Sequence, residues 1–486
     1  MRAPAKALIL FGCCCSAVGG CARSVTVAVG PGLLDRWKEL VSVHPLPGGY
    51  RWAVSGGEQV GAAAALALET RHWSEPPSPA GSRVLEVVTL AATVPLSSGV
   101  DGLSSAEIGA GSALRLEPLD SVALPERLVA IDGAYPGAAS YPLRDEICIR
   151  VVGDDPRLLE WLDALPGPPS PGPMISWLAA VGDLMLDRGV DELLIEQGAE
   201  AIFGDTLPVL RSAGILIGNL ESSVTRRGTP QAKAYTFRAD PRALKGLVQA
   251  GFTFLSVANN HSFDYGMDGF VDTLENLRAS GIGTSGAGAD LEEALRPFGT
   301  LLGTDGVRIW ALAAYPVELT GFDGRTSTRA DSTRAGVLWA DRDGLGAICG
   351  RLSAKGTQET LDVVAVHGGQ EWESVPSASQ MALYRALVDS GADIVLGSHP
   401  HVLQGMEARG GSLIVFSLGN FVFPGMEGMT GGVDSIVLLL GIYRARVVAV
   451  RIVPVRLQGR TVRISGDSRS RDRVLALSRA LAGAPP

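Results

Sequence analysis

ISWLAAVGD, residues 175–183, is a near-continuous apolar run that ends in a carboxylate. The same order, an apolar strand followed by a polar cluster, recurs downstream at residues 214–221, 252–261, 361–367 and 394–401. Helical patterns fall between these runs, at residues 191–201, 241–250, 269–280 and 379–390. Because buried sheets covered by helices give apolar strands that alternate with helices, the sequence predicts an α/β fold.

The polar clusters at these strand ends hold most of the histidines of the chain. Four of the six histidines lie there with two carboxylates and an amide: His261, His367, His399, His401, Asp183, Glu221 and Asn260. The carboxyl ends of strands are where α/β sheets place ligands. Since imidazole and carboxylate groups are common ligands of transition metals, the sequence predicts one or two divalent ions here, of Mn, Zn, Fe or Co.

Each candidate ligand also has an interpretation without a metal. The His-Pro-His segment at 399–401 could cap a turn. Asp183 and Glu221 could be N-caps of the helices that follow them. Asn260 could serve a turn that requires positive φ.

Three further polar residues lie near these clusters. Glu371 could support a metal ligand from outside the coordination sphere or be a surface acid. Arg188 could bind an anionic substrate or form a salt bridge, and Asn420 is expected to fix a loop behind the ligands.

The first twenty residues have the order of a secretory signal. Arg2 and Lys6 precede a short apolar run, which is too short to span a bilayer, and small residues then lead to Cys21. This stretch resembles a bacterial lipobox, which implies lipidation of Cys21 and anchoring on the outer face of the cytoplasmic membrane or in the periplasm. An ordinary cleaved signal and a mis-assigned start are the alternatives.

Length and composition set the domain organisation and exclude one class of partner. With 486 residues the chain should form two domains, and the Pro/Gly-rich stretch 165–173 predicts the linker. Upstream, residues 25–164 predict a small α/β domain, with an alanine-rich helix at 61–67 and a likeness to phosphate-type solute-binding proteins at 133–143. The net charge of −9 and the scattered Lys and Arg residues argue against a nucleic-acid partner.

Six motifs occur in the order seen in CapA proteins, which act in poly-γ-glutamate capsule synthesis. They are GDLML at 182–186, GNLE at 218–221, ANNH at 258–261, HGGQE at 367–371, GSHPHV at 397–402 and SLGNF at 417–421. On these motifs residues 175–460 resemble the CapA family, a divergent branch of the calcineurin-like metallophosphatases. The resemblance implies a metallophosphatase-like α/β/β/α sandwich preceded by the smaller α/β domain. Residues 461–486 would form a C-terminal tail with a surface helix.

The resemblance also implies roles for the candidate residues. Glu221 would bridge two metals, with Asp183 and His401 completing one site, and Asn260, His367 and His399 the other. His261 would be the general acid, with Asp264 orienting its ring. Met185 stands where metallophosphatases carry a further ligand histidine, which leaves the first site one ligand short.

Taken together, these features predict a metal-dependent hydrolase-type protein that acts on a phosphoester or an amide. By the resemblance it would serve the biosynthesis or processing of capsule or extracellular poly-γ-glutamate. Its partners would be the extracellular anionic polymer or the membrane machinery that makes it. The alternative is a non-catalytic polymer-binding or assembly protein of the cell envelope, whose N-terminal domain senses a solute. His261 favours the enzyme, since a structural metal site needs no uncoordinated acid beside it.

Overall fold

The computed structural model describes residues 175–483 except 319 and 355–359, and, further upstream, short strands, one helix and scattered single residues. The chain forms two compact units. One comprises residues 1–92, 102–121 and 130–174, and the other residues 93–101, 122–129 and 175–486. None of the described helices is both long and apolar enough to span a bilayer.

The described part of the first unit is mainly strand. Its longer elements are strands Arg23–Val29, Tyr50–Val54, Ala65–Arg71, Ser82–Pro95 (whose last three residues belong to the second unit) and Arg144–Val152, and helix Pro156–Ala164. The expected helix at 61–67 is wrong where the structure describes it. Residues 65–67 pair with residues 150–152 in an antiparallel ladder. This pairing overrides the helix propensity of alanine. Cys21 and residues 133–143 lie outside the described residues.

The first sheet of the second unit is built around the strand Ser176–Leu184. Its strands include β1 (Ser176–Leu184), β2 (Ile215–Leu220), β3 (Phe254–Ser256), and, later in the chain, β10 (Asn420–Val422), β11 (Asp434–Tyr443), β12 (Arg446–Gln458) and β13 (Thr461–Ile464). β1, β2 and β3 are parallel neighbours, whereas β11 is antiparallel to β1. β11 and β12 form an antiparallel hairpin.

The second sheet contains the strands between β3 and β10. They are β4 (Phe298–Leu302), β5 (Asp305–Ala314), β6 (Thr360–Gly368), β7 (Ile394–Ser398), β8 (Met406–Arg409) and β9 (Ser412–Val415). β5, β6, β7 and β9 are parallel, in the order β4-β5-β6-β7-β9-β8. The carboxyl ends of β5, β6 and β7 therefore lie at one edge.

Ten α-helices accompany these sheets among the residues from 175 to 483 that the structure describes. They are α1 (Val190–Gln197), α2 (Ala199–Phe203), α3 (Leu207–Arg211), α4 (Leu244–Ala250), α5 (Gly266–Ser280), α6 (Leu291–Ala294), α7 (Gly324–Ser327), α8 (Arg342–Ser353), α9 (Ala378–Asp389) and α10 (Arg469–Gly483). The helix expected at 191–201 is divided at Gly198, whose φ is 77°. Glycine adopts this backbone conformation without the strain that a side chain would add.

Side chains that alternate along the strands of the second sheet belong to two different hydrophobic cores. Ile309 and Val363 belong to one core cluster with residues of the first sheet and with helix residues such as Leu194 and Phe270. The intervening residues pack instead with helices α8 and α9: Trp310, Leu312, Val364, Val366 and Val395. Since successive side chains of a strand point to opposite faces, the layers are helix, sheet, sheet and helix. The expected α/β/β/α sandwich is confirmed.

Candidate metal centre

All seven predicted strand-end residues meet where the carboxyl ends of the two sheets come together. Asp183 lies in β1, Glu221 follows β2, and Asn260 and His261 follow β3. His367 lies in β6, and the other two histidines follow β7: His399 and His401. All seven are buried. The centre therefore draws its groups from both sheets.

The N-cap interpretation of the two carboxylates is wrong. Asp183 lies within a strand, and the element that follows Glu221 is the short strand Ser223–Val224. Neither side chain begins a helix. Both carboxylates instead face histidine rings.

One carboxylate oxygen of Glu221 is the focus of the centre. Its Oε1 lies 3.9, 3.8 and 3.6 Å from the Nε2 atoms of His261, His367 and His401. Within the described residues the same Oε1 makes no hydrogen bond, and neither does Nε2 of His399. Leaving such groups buried without a partner costs free energy. A divalent cation among these atoms would satisfy them, so the residues present fit a metal ion.

Three overlapping sets of side chains could hold an ion. In each set the candidate ligand atoms lie within 4.8 Å of one another: Asp183, Glu221 and His401; Glu221, His367 and His399; Glu371, His399 and His401. The first two sets share Glu221, as the two sites implied by the resemblance would. Asn260 Oδ1, the remaining expected ligand, lies 2.9 Å from His367 Nε2. Glu371 is exposed, so the third set lies at the mouth of the centre.

Burial and charge set the protonation of the metal-free centre. Burial lowers the pKa of His367 and of His399 far below the usual value, so both rings are neutral and can donate lone pairs. Burial and the nearby Asp183 raise the pKa of Glu221. Burial opposes the charged form of His401, but Glu221 and Asp183 outweigh it and raise its pKa to about 10. An incoming cation would therefore displace protons.

Asn219, one residue before the end of β2, orients ligands from both sheets. Its Nδ2 donates to Asp183 Oδ1 at 2.8 Å and to Glu221 Oε2 at 3.3 Å, and lies 3.1 Å from His367 Nδ1. Asn259 Nδ2 in turn donates to Asn219 Oδ1 at 3.1 Å. The sequence placed Asn219 within a motif, but it gave no sign of this bridging role.

His261 is held by a buried chain of charged groups. Its Nδ1 lies 2.6 Å from Asp264 Oδ2, so Asp264 has the position expected for orienting the ring. The Nζ of Lys233 donates to Asp264 Oδ1 at 2.7 Å and to Asn260 O at 2.6 Å, and lies 3.0 Å from Glu318 Oε1. The side chain of Lys233 is fully buried. Sequence reasoning missed Lys233 because the residues on either side of it are exposed, as in a surface loop.

The His-Pro-His segment combines a turn with two inward-facing rings. The φ values of His399 and His401 are 96° and 58°, which are rare for residues that carry a side chain. Asn420 fixes this backbone: its Nδ2 donates to His401 O at 3.1 Å and to Gly432 O at 3.0 Å. Its Oδ1 lies 2.9 Å from His401 Nδ1. The turn interpretation and the ligand interpretation are therefore compatible.

Met185 and Arg188 both lie near Phe237. Met185 is buried in an apolar cluster with Phe237, Phe423 and Leu457, so no side-chain ligand stands at this position. Arg188 is exposed, and its guanidinium lies 5.2 Å from the ring centroid of Phe237. Arg188 has no ion pair within the described part of the chain and donates to the Pro424 carbonyl. The ring centroids of Phe237 and His261 lie 4.4 Å apart, so the Phe237 ring contacts both His261 and the Arg188 guanidinium.

Fold and site together define an α/β/β/α sandwich with a candidate divalent-metal centre at the strand ends shared by its two sheets. Residues 177–425 match the family described as bacterial capsule synthesis protein PGA_cap. The chain belongs to this family, which confirms the expected CapA relationship.

Similar proteins come from several bacteria. The chain is 35% identical over 257 residues to "PGA biosynthesis protein CapA" of Bacillus subtilis, a match of 52% of this chain and 64% of that protein. It is 31% identical over 286 residues to "Capsule biosynthesis protein CapA" of Bacillus anthracis, which covers 58% and 67%. A Mycobacterium tuberculosis protein described as a "Probable polyglutamine synthesis accessory protein" is 27% identical over 289 residues, 51% and 74% of the two chains. The match thus spans less than two thirds of the B. subtilis relative.

Proposed function

We propose that this chain is a metal-dependent hydrolase-type protein of capsule or poly-γ-glutamate biosynthesis or processing. The observation that carries the proposal is Glu221 Oε1, a buried carboxylate oxygen that has no hydrogen-bond partner in the described part of the chain and faces three imidazole nitrogens. The names of the Bacillus relatives supply the polymer. The ligand set of nitrogen and oxygen atoms suits Mn, Zn, Fe or Co.

The residues around the centre have complementary tasks in hydrolysis. A divalent ion bound there supplies Lewis acidity and lowers the pKa of water. His261 delivers a proton from Nε2 to the leaving group, because Asp264 fixes its Nδ1 and Nε2 faces Glu221 at 3.9 Å. Lys233 holds the Asp264 carboxylate in place. Arg188, with no carboxylate partner among the described residues, binds an anionic group of the substrate.

A non-catalytic assembly role is the second candidate. It is favoured by Met185, which fills with apolar packing the position where metallophosphatases carry a ligand. In this account the ion stabilises the fold, the domain binds polymer or its synthesis machinery, and the N-terminal domain senses a solute. Metal-dependent turnover distinguishes the two functions.

We also propose that the protein is exported and anchored to the membrane through a lipid on Cys21. The support is the order of charged, apolar and small residues before this cysteine. Intact mass analysis of the membrane fraction from the native host tests it. A lipidated N-terminus at Cys21 is expected, and a Cys21→Ala variant that stays in the membrane fraction would contradict it.

The test of the metal centre uses the purified protein and elemental analysis after reconstitution. Wild type and the control His44→Ala, a histidine outside the family match, should hold stoichiometric metal. The double variant His399→Ala plus His401→Ala should lose it. Each protein is then assayed on a generic phosphodiester and on poly-γ-glutamate. Wild type without metal rejects the proposal, whereas metal without turnover on either substrate favours the assembly role.

A further inference from the structure

The three ligand sets of the metal centre differ in their access to solvent. Glu371 is exposed, whereas the other members of these sets are buried. One oxygen of its carboxylate lies within 4.8 Å of a ring nitrogen of His399 and of His401. A divalent ion that arrives from solvent can therefore meet this carboxylate before it meets a buried ligand. We call Glu371, His399 and His401 the mouth set, and the two sets that contain Glu221 the inner sets.

The backbone that carries Glu371 is held against the His-Pro-His segment. The backbone N–H of Trp372 donates to Pro400 O at 2.9 Å, and the carbonyl of the next residue accepts from Gln404 Nε2 at 2.7 Å. Trp372 has a φ of 67°, and its ring centroid lies 5.5 Å from that of His401. Such a φ is rare for a residue with a side chain, and it persists only where surrounding contacts hold it. These contacts fix the position of Glu371 beside the two histidines.

The mouth set shares both of its histidines with the inner sets. His399 also belongs to the inner set of His367, and His401 belongs to that of Asp183. A neutral imidazole has one nitrogen with a free lone pair, so one ring cannot hold two ions at the same time. An ion in the mouth set therefore has to give up its histidines when both inner sets are filled. The mouth set thus fits an ion in transit better than a third resident ion.

We propose that Glu371, His399 and His401 form an entry site, which captures a divalent ion from solvent and passes it to the inner sets. Glu371 supplies a charged oxygen at the surface, where it attracts the ion. On transfer the bond to the Glu371 oxygen breaks and a bond to Glu221 forms, while one of the shared histidines stays bound. The ion therefore never loses all of its protein ligands. The inference rests on the metal centre of the proposed function and adds the route by which that centre is filled.

The test follows the binding of Co²⁺ to the metal-free full-length protein by stopped-flow absorbance, and its release after addition of excess EDTA. Glu371→Gln keeps the size of the side chain and removes its charge. We expect loading and release both to slow by about tenfold, because a residue that acts only on the route changes both rates alike. The Kd, which is the ratio of the two rate constants, should change by less than about threefold. The control Glu373→Gln removes an exposed charge that belongs to none of the three sets, and should keep both rates of the wild type.

The outcomes separate this inference from the proposed function. If Glu371→Gln loads as fast as the wild type, there is no entry site. If its Kd rises by about tenfold or more and release becomes faster, Glu371 is a ligand of the finished centre and the entry role is wrong. The metal centre stands in both cases. If both rates slow alike but metal-loaded wild type turns over neither the phosphodiester nor the polymer, the entry site stands and the hydrolase proposal fails. A wild type that binds no ion overturns both.

Discussion

The substitution Glu221→Gln tests the role of the carboxylate on which the proposed metal centre depends. Glutamine keeps the size of the side chain and its hydrogen bond from Asn219 but removes the charge that faces three histidine rings. At a metal concentration about 100 times the Kd, bound metal stabilises the wild type by about 2.7 kcal/mol. The roughly 310 residues from 175 to 483 give an unfolding entropy of about 0.65 kcal/mol/K, so Tm should rise by about 4 °C.

Loss of Glu221 should remove most of this shift. Even the loss of a residue that only supports a metal ligand weakens metal affinity by about 10- to 100-fold, and a 100-fold loss leaves about 0.4 kcal/mol, or less than about 1 °C. Differential scanning calorimetry with and without metal measures both values. Glu196→Gln, an exposed change on α1, is the matched control and should keep the full shift. A metal-induced shift of 4 °C that survives Glu221→Gln would refute the assignment of Glu221 as the shared ligand.

Three other predictions address the acid, the protons and the fold. Asp264→Asn should lower any metal-dependent turnover by about 10²- to 10⁴-fold with unchanged metal content, because His261 loses the carboxylate that orients it; unchanged turnover contradicts this. Metal binding at pH 7 should release protons and tighten as pH rises, because Glu221 and His401 have raised pKa values in the metal-free centre. Calorimetric titrations in two buffers of different ionisation enthalpy measure this release, and a pH-independent affinity would count against it. Gly182→Ala should lower the free energy of unfolding in urea by about 3 kcal/mol, since its Cβ would lie 1.8 Å from Gly419 O. Gly346→Ala, in open space on α8, should raise the free energy of unfolding by up to about 1 kcal/mol. Equal stabilities of the two variants would rule out this packing argument.

The strand ends were predictable because each has two signals in the sequence, an apolar run and the polar cluster that follows it. Each apolar run ends in a polar cluster, and parallel strands place those clusters at one edge. This pattern predicts that Asp183, Glu221 and the four histidines lie together. The strand β5 escaped prediction because no comparable polar cluster follows it.

The connections within the centre were not predictable from the sequence. The bridging amide of Asn219 depends on the lateral register of β1 and β2, which aligns Asp183 with Asn219. The buried position of Lys233 depends on a long-range approach of two loops to Asp264 and Glu318. Neither arrangement leaves a periodic signal along the chain. Residues 65–67 show the same limit, because the strand they pair with lies some eighty residues away.

The division of the ligands between two sheets has a consequence for biogenesis. Asp183 and Glu221 belong to the first sheet, whereas His367 and the His-Pro-His segment belong to the second. A nascent chain that has emerged only as far as β3 presents the two carboxylates without these imidazoles, and therefore cannot capture an ion as the finished centre does. Metal acquisition would then act as a checkpoint of maturation, which only a chain with both halves assembled can pass.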